Sequence, residues 1–179
     1  MQTIVEEATV GVEVEQRSRT GDTRRNVVAL LVLVVVAAAA GFVGNLLQGD
    51  DVGERYLALD RPAWAPPQEA FGIVWPVLYL LIAIAAWQVW RTSGGLAAAR
   101  GPLTLWAAQL VVNAVWPGVF FGAGAFWPAV AVILLLDVLV VGTLVQFWQR
   151  SMLAGVLLLP YLAWIFYATG LNLAIALAN

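Results

Sequence analysis

Five apolar stretches fill most of this chain, at about residues 27–47, 70–90, 103–122, 126–148 and 152–177. Each holds about 20 residues or more, enough to cross ~30 Å of hydrocarbon at a rise of ~1.5 Å per residue. Inside a bilayer every backbone N–H and C=O must find its partner within the protein, which leaves helices or a closed barrel. Leu, Val and Ala run on here without the period-two alternation of barrel strands, so helices follow. The expected fold is an all-α integral membrane bundle of five helices over residues 26–179. Too little chain lies between the spans to build a separate soluble domain.

The basic residues are all arginine and are unevenly placed. Arg17, Arg19, Arg24 and Arg25 precede the first span, Arg91 and Arg100 follow the second, and Arg150 follows the fourth. With five spans these share one side, against Arg55 and Arg61 on the other. The positive-inside rule then expects a cytoplasmic N-terminus and insertion in the cell membrane. Residues 1–25, with Glu6, Glu7, Glu13 and Glu15, read as a flexible polar tail. The alternative is a twin-arginine signal, since Arg24-Arg25 precede an apolar run containing Ala38-Ala39-Ala40. That run continues to Leu47, longer than a usual signal core.

The one substantial loop runs from about Gln48 to Glu69. It is acidic at Asp50, Asp51, Glu54 and Asp60, then becomes Arg61-Pro62-Ala63-Trp64-Ala65-Pro66-Pro67. Its prolines stiffen this piece and keep it from being helical. Such a loop suits a lid over a cavity, or equally a spacer with Trp64 anchored among headgroups. Ala114, Gly118 and Gly122 give the third span a flat face at four-residue spacing. That face can serve packing within the bundle or a second copy of the chain. Ala40 and Gly44 make a weaker version in the first span. Pro117 and Pro160 are expected to bend their helices.

The chain has nine tryptophans and neither histidine nor cysteine. Thiol chemistry and most metal and haem ligation are thereby removed, and no nucleophile–base pair or phosphate loop is present. No metal site and no catalytic residue are expected. A net charge of −2 and a small polar surface exclude nucleic acid as a partner. What remains for recognition is flat aromatic surface and a few amides, suited to a planar apolar ligand.

Candidates therefore lie deep in the spans, where polar groups are costly. Trp75 and Tyr79 share a face of the second span, and Gln109 and Asn113 a face of the third, followed by Trp116 and Phe120. Trp164, Ala168 and Asn172 form a stripe in the fifth, where small Ala168 leaves room for a flat ligand. The amides serve equally well as interhelical hydrogen bonds, worth typically ~0.6 kcal/mol each. Trp64, Trp90, Trp127 and Trp148 fit the headgroup belt, while Trp87 and Trp106 fit either role. Asp137, the one carboxylate inside a span, has no second acid or base for a proton relay and reads as structural or as an interface residue.

These pieces, in order and with their spacing, resemble a known family. They are Arg61 to Pro67, Trp75-Pro76-Val77-Leu78-Tyr79, Gln109 to Pro117, Phe120-Phe121-Gly122-Ala123, and Pro160-Tyr161-Leu162-Ala163-Trp164 with Asn172. The set is similar to the TspO/translocator protein family, the tryptophan-rich sensory proteins, over about Gly41 to Asn172. The resemblance implies a five-helix, often dimeric, membrane protein that binds porphyrins such as protoporphyrin IX, with no covalently bound cofactor, beneath a capping first loop. Trp75 and Trp164 match pocket tryptophans tied to porphyrin binding and to its light-dependent breakdown, which would make them the catalytic residues of a photo-oxidative enzyme. Asn113, Trp116 and Ala168 match lining positions, Tyr56 the tyrosine of the capping loop, and Ala114, Gly118 and Gly122 the dimer contact. The implied roles are sensing, buffering or transport of a tetrapyrrole. The chain departs at Arg55, where a tryptophan is common. It departs also at Ala131, where mitochondrial relatives carry aspartate, and in residues 173–179, which lack the tyrosine and basic residue of the cholesterol motif.

Overall fold

The computed structural model describes residues 22–179. The polar tail expected over residues 1–25 lies outside the described residues up to residue 21. From there the chain is helical almost throughout, and among the described residues there is no strand. Helix α1 is described over Asp22–Gln48. A short α2, Val52–Ala58, follows in the first loop. Helices α3 (Gln68–Thr92) and α4 (Leu96–Pro117) come next. A π-helical turn, Gly118–Gly122, extends α4, and α5 (Phe126–Arg150) and α6 (Met152–Ala178) complete the chain. Five of these helices are long and apolar enough to cross a membrane, which bears out the five-helix bundle.

The third span begins at Leu96, earlier than the composition suggests. Pro102 stands inside it without breaking it. A proline there leaves the Ala98 carbonyl without its helical N–H partner, and the Arg150 guanidinium donates to that oxygen at 3.4 Å. The other connections are tight. Gly94 and Gly95 take the positive φ values, 82° and 133°, that turn the chain between α3 and α4. Between α5 and α6 stands one residue, Ser151, extended at φ −159° and ψ 117°, whose hydroxyl caps α6 by accepting from the Ala154 N–H. Gly155, one turn into α6, makes room for the Trp148 ring, which an added Cβ would meet at 2.2 Å.

The helices close into a ring in the order α1, α3, α6, α5, α4 and back to α1. The core is apolar: Ile82, Ala83, Ala86 and Val89 from α3, Ile133, Leu136 and Phe147 from α5, and Leu158 and Ile165 from α6. Trp106 belongs to this core, its indole N–H donating to the Ile82 carbonyl at 3.1 Å. Trp87 instead donates to Asn26 O and carries the Arg91 guanidinium over its ring. Trp127 and Trp148 are exposed, as belt residues are.

Helix α1 shows most of its large side chains outward, including Leu31, Val35, Phe42 and Leu46. Lipid is as apolar as leucine, so this helix gains little from burial and must be held by close packing. The small-residue stripe supplies it. An added Cβ at Gly118 would lie 2.8 Å from Leu47 Cβ, and one at Gly122 2.5 Å from the Leu47 carbonyl oxygen. Gly44 of α1 faces the Ala114 backbone in return, with 3.5 Å left for a Cβ. Ala114, Gly118 and Gly122 thus serve packing within the bundle. That face is filled by α1 of the same chain, because only small residues let the two backbones approach.

Candidate ligand cavity beneath the first loop

At the end of the ring where α3 begins and α4 ends, aromatic side chains converge. Pro117 removes a backbone donor, and α4 widens into the π turn, whose closing bond runs from Ala123 N–H to Gly118 O at 2.8 Å. The turn brings Phe120 and Phe121 together, ring centroids 4.7 Å apart, and Trp116 stacks on Phe120 at 5.1 Å. From α3, Phe71 and Trp75 stand one turn apart. Trp75 meets Trp164 of α6 edge to face at 6.5 Å, and Phe71 meets the same indole at 6.0 Å. Tyr56, Trp75, Trp116, Trp164, Ala168 and Asn172 thus come together, with Phe71, Phe120, Phe121, Leu171 and Ile175, around an inner gap of about 20 Å³.

A larger cavity of about 410 Å³ shares Tyr56, Phe71, Trp75, Trp116 and Phe121 with that gap and is bounded by α1, α2, α3 and α4, with Asn45, Gln48 and Gln68 also in its wall. A second recess of about 500 Å³ runs along the lipid side of α1 and α3, past Gly41, Asn45, Gly72, Trp75 and Tyr79. Trp75 borders all three spaces.

The first loop covers this end. Tyr56 of α2 is buried, donates its hydroxyl to Pro66 O at 2.7 Å and lies beneath the Arg61 guanidinium at 4.5 Å. Arg55 reaches the π turn and donates to the carbonyls of Phe121 at 2.7 Å and Gly122 at 3.2 Å. Tyr167 of α6 donates to Trp64 O, and Asn179 exchanges hydrogen bonds with the Asp60 backbone. The loop is therefore a cap tied to two walls of the ring, and Trp64 packs on Tyr167. Arg55→Ala should free α2 from the π turn, raising the rate of limited proteolysis in residues 52–58 roughly fivefold, the loss of about one hydrogen bond to a charged donor in partly solvated surroundings. An unchanged cleavage rate would show that Arg55 does not hold the cap.

Two of the expected site residues lie one turn away from the gap. Tyr79 donates to Asn113 Oδ1 at 2.5 Å, Asn113 Nδ2 donates to Tyr161 OH at 3.0 Å, and Tyr161 OH donates to Gln109 Oε1 at 2.7 Å. This chain joins α3, α4 and α6 in the core, and Asn113, 2% exposed, is not among the residues that line the cavity or the gap. Asn172 does line the gap, but it accepts from Trp116 Nε1 at 3.0 Å and donates to Phe126 O at 3.3 Å. Both asparagines thus serve interhelical hydrogen bonding. By contrast the Trp164 indole N–H is buried without a partner among the described residues. Asp137 lies away from the cavity, its carboxylate accepting from Thr169 Oγ1 of α6 at 3.0 Å.

Sequence reasoning gave no site role to Tyr161, Phe71, Phe121, Leu171 or Ile175. Phe71 carries one usable signal, its four-residue spacing from Trp75. Tyr161 carries none, since a lone tyrosine in an apolar run looks like any other packing residue.

A ring of five membrane helices, closed at one end by a tied loop over a cavity walled by tryptophans, defines a class of integral membrane protein with a candidate ligand cavity under a cap. Comparison with known proteins narrows the class. The chain belongs to the TspO/MBR family, whose pattern it matches over residues 31–178. It is 38% identical to a tryptophan-rich sensory protein of Cereibacter sphaeroides over 142 residues, 79% of this chain and 85% of the relative. It is also 38% identical to the translocator protein of Homo sapiens over 132 residues, 73% and 78% of the two chains. A tryptophan-rich protein TspO of Archaeoglobus fulgidus is 34% identical over 154 residues, 86% and 99%.

Proposed function

We propose that this protein binds a porphyrin, a planar tetrapyrrole such as protoporphyrin IX, in the capped cavity, and so senses, buffers or carries it. The observation that carries the reading is the meeting of Trp75, Trp116 and Trp164 under the cap, with the Trp164 N–H unpaired among the described residues. Apolar area and stacking supply the affinity, and no iron ligand is needed. The cavity beside the cap, at about 410 Å³, falls within the range of ligand sites. The inner gap is too small for a macrocycle, so binding requires Phe71 and Trp75 to move apart from Trp164. The names of the relatives, a sensory protein and a translocator protein, fit a sensing or transport role.

The test is a titration of the detergent-purified protein with protoporphyrin IX, followed by tryptophan quenching. Trp75→Phe and Trp164→Phe should each weaken saturable binding roughly fivefold, the worth of a lost indole stack. Equal affinity in both variants would sink the stacking mechanism, and no saturable quenching in folded protein would sink the ligand class.

A second reading is light- and oxygen-dependent porphyrin breakdown. It is favoured by Trp75 stacking on Tyr79 at 5.6 Å, where the tyrosine hydroxyl begins the hydrogen-bonded chain to Tyr161. Bleaching of bound porphyrin under illumination should then exceed that of free porphyrin and fall in Trp75→Phe.

The same proposal places the end opposite the cap in the cytoplasm of a cell-membrane protein. That end gathers Arg24, Arg25, Arg91, Arg100 and Arg150, against Arg55 and Arg61 at the cap.

A further inference from the structure

At the arginine-rich end, one face of α4 meets α5 in an open groove of about 630 Å³ lined by Ala97, Arg100, Gly101, Thr104, Leu105 and Gln146. It is far in sequence and in space from the capped cavity, and shares no lining residue with it. Its floor exists because α4 presents Ala97 and Gly101 there, and Gly142 of α5 lets Leu105 lie close, 3.1 Å from where a Cβ would stand. Its rim is polar, and those polar groups are unused. Thr92, Thr143 and Thr169 each bond back to a carbonyl of their own helix, but Thr104 does not. Arg91 and Arg25 lie over tryptophan rings and Arg150 reaches Ala98 O, whereas neither Arg100 nor Gln146 has a hydrogen-bond or charge partner among the described residues.

From this juxtaposition we infer that the α4–α5 groove is a binding site for an anionic phospholipid of the leaflet at the arginine-rich end. The phosphate accepts from the Arg100 guanidinium, the Thr104 hydroxyl and the Gln146 amide, and an acyl chain descends over Gly101 and Leu105. Charge decides the occupant. A helix from a second copy seated here would bury Arg100 without a counter-ion, which is costly in hydrocarbon, whereas a lipid phosphate neutralises it where basic grooves between membrane helices commonly hold anionic headgroups.

The experiment is native mass spectrometry of the full chain, released from nanodiscs of phosphatidylcholine containing one-tenth phosphatidylglycerol. The unaltered protein should retain phosphatidylglycerol in preference to phosphatidylcholine. Arg100→Gln should reduce that retention roughly fivefold, and Thr104→Val with Gln146→Leu should reduce it further, while Arg91→Gln leaves it unchanged. All these side chains lie on the surface or at its edge, so a thermal melt in detergent should match that of the unaltered chain. An equal loss in Arg91→Gln would mean diffuse attraction and overturn the site. Displacement of the lipid by inorganic phosphate at millimolar concentration would overturn the lipid as its source. Since the chain has no cysteine, Gly101→Cys reports on the rival occupant: an oxidative crosslink between two copies in the bilayer would assign the groove to a dimer and overturn the proposal.

Discussion

Gly118→Leu should destabilise the whole bundle, shortening the half-life of folded protein in detergent at elevated temperature by at least tenfold. The new side chain would place its Cβ 2.8 Å from Leu47 Cβ, with the Leu47 backbone just behind. Neither can yield without moving α1. Overpacking of this kind costs about 1–3 kcal/mol, and α1 relies on close packing against α4 and α3, since its remaining face looks at lipid. The measurement is a time course of intrinsic fluorescence or of retained helicity, set beside the particle mass. A variant as durable as the unaltered chain that differs only in oligomeric size would show that the stripe serves a second copy after all.

Asn113→Leu should have the next largest effect, and of a telling kind. It severs the links from Tyr79 and to Tyr161, which join three helices. Membrane hydrogen bonds average ~0.6 kcal/mol and reach ~1.7, so two of them with poorly paired hydroxyls left behind amount to about 1–3 kcal/mol. Thermal stability should fall accordingly. Affinity for protoporphyrin IX, measured well below the melting point, should change less than roughly threefold, because Asn113 lines neither the capped cavity nor the inner gap. A tenfold loss of affinity at unchanged stability would restore Asn113 as a ligand anchor.

The spans were legible because length and apolarity alone dictate them. Their ends were less so where local pairing intervened. Arg100-Gly101-Pro102 looks like a loop until Arg150 is seen to satisfy the carbonyl that Pro102 leaves free. Helix α2 was missed because seven residues carry no periodic signal, although its tyrosine could be placed by resemblance. Pro117 announces a bend, but nothing in the sequence says that the bend is a π turn that gathers Phe120 and Phe121. In the site, the indoles of Trp116 and Trp164 stood out because they lie too deep for a headgroup belt, and Trp75 through its shared face with Tyr79 and the family resemblance. The amides could not be resolved in advance, since an asparagine that bridges helices and one that greets a ligand are the same letter. Only the positions of Tyr161 and Trp116 decide it. Arg55, noticed as a departure from the family pattern, becomes intelligible once the Phe121 and Gly122 carbonyls are found within its reach.

The single-residue turn at Ser151 bears on how this protein is made. Asp137, alone in the middle of α5, would cost about 2.5–3.5 kcal/mol to insert on an isolated helix. Helix α6 can follow α5 into the bilayer only as the return limb of one hairpin, because no slack separates them. Thr169 on that limb is the hydroxyl that meets the carboxylate. The hydroxyl that eases the burden of Asp137 in the bilayer therefore comes from the very next helix of the chain, across a turn of one residue.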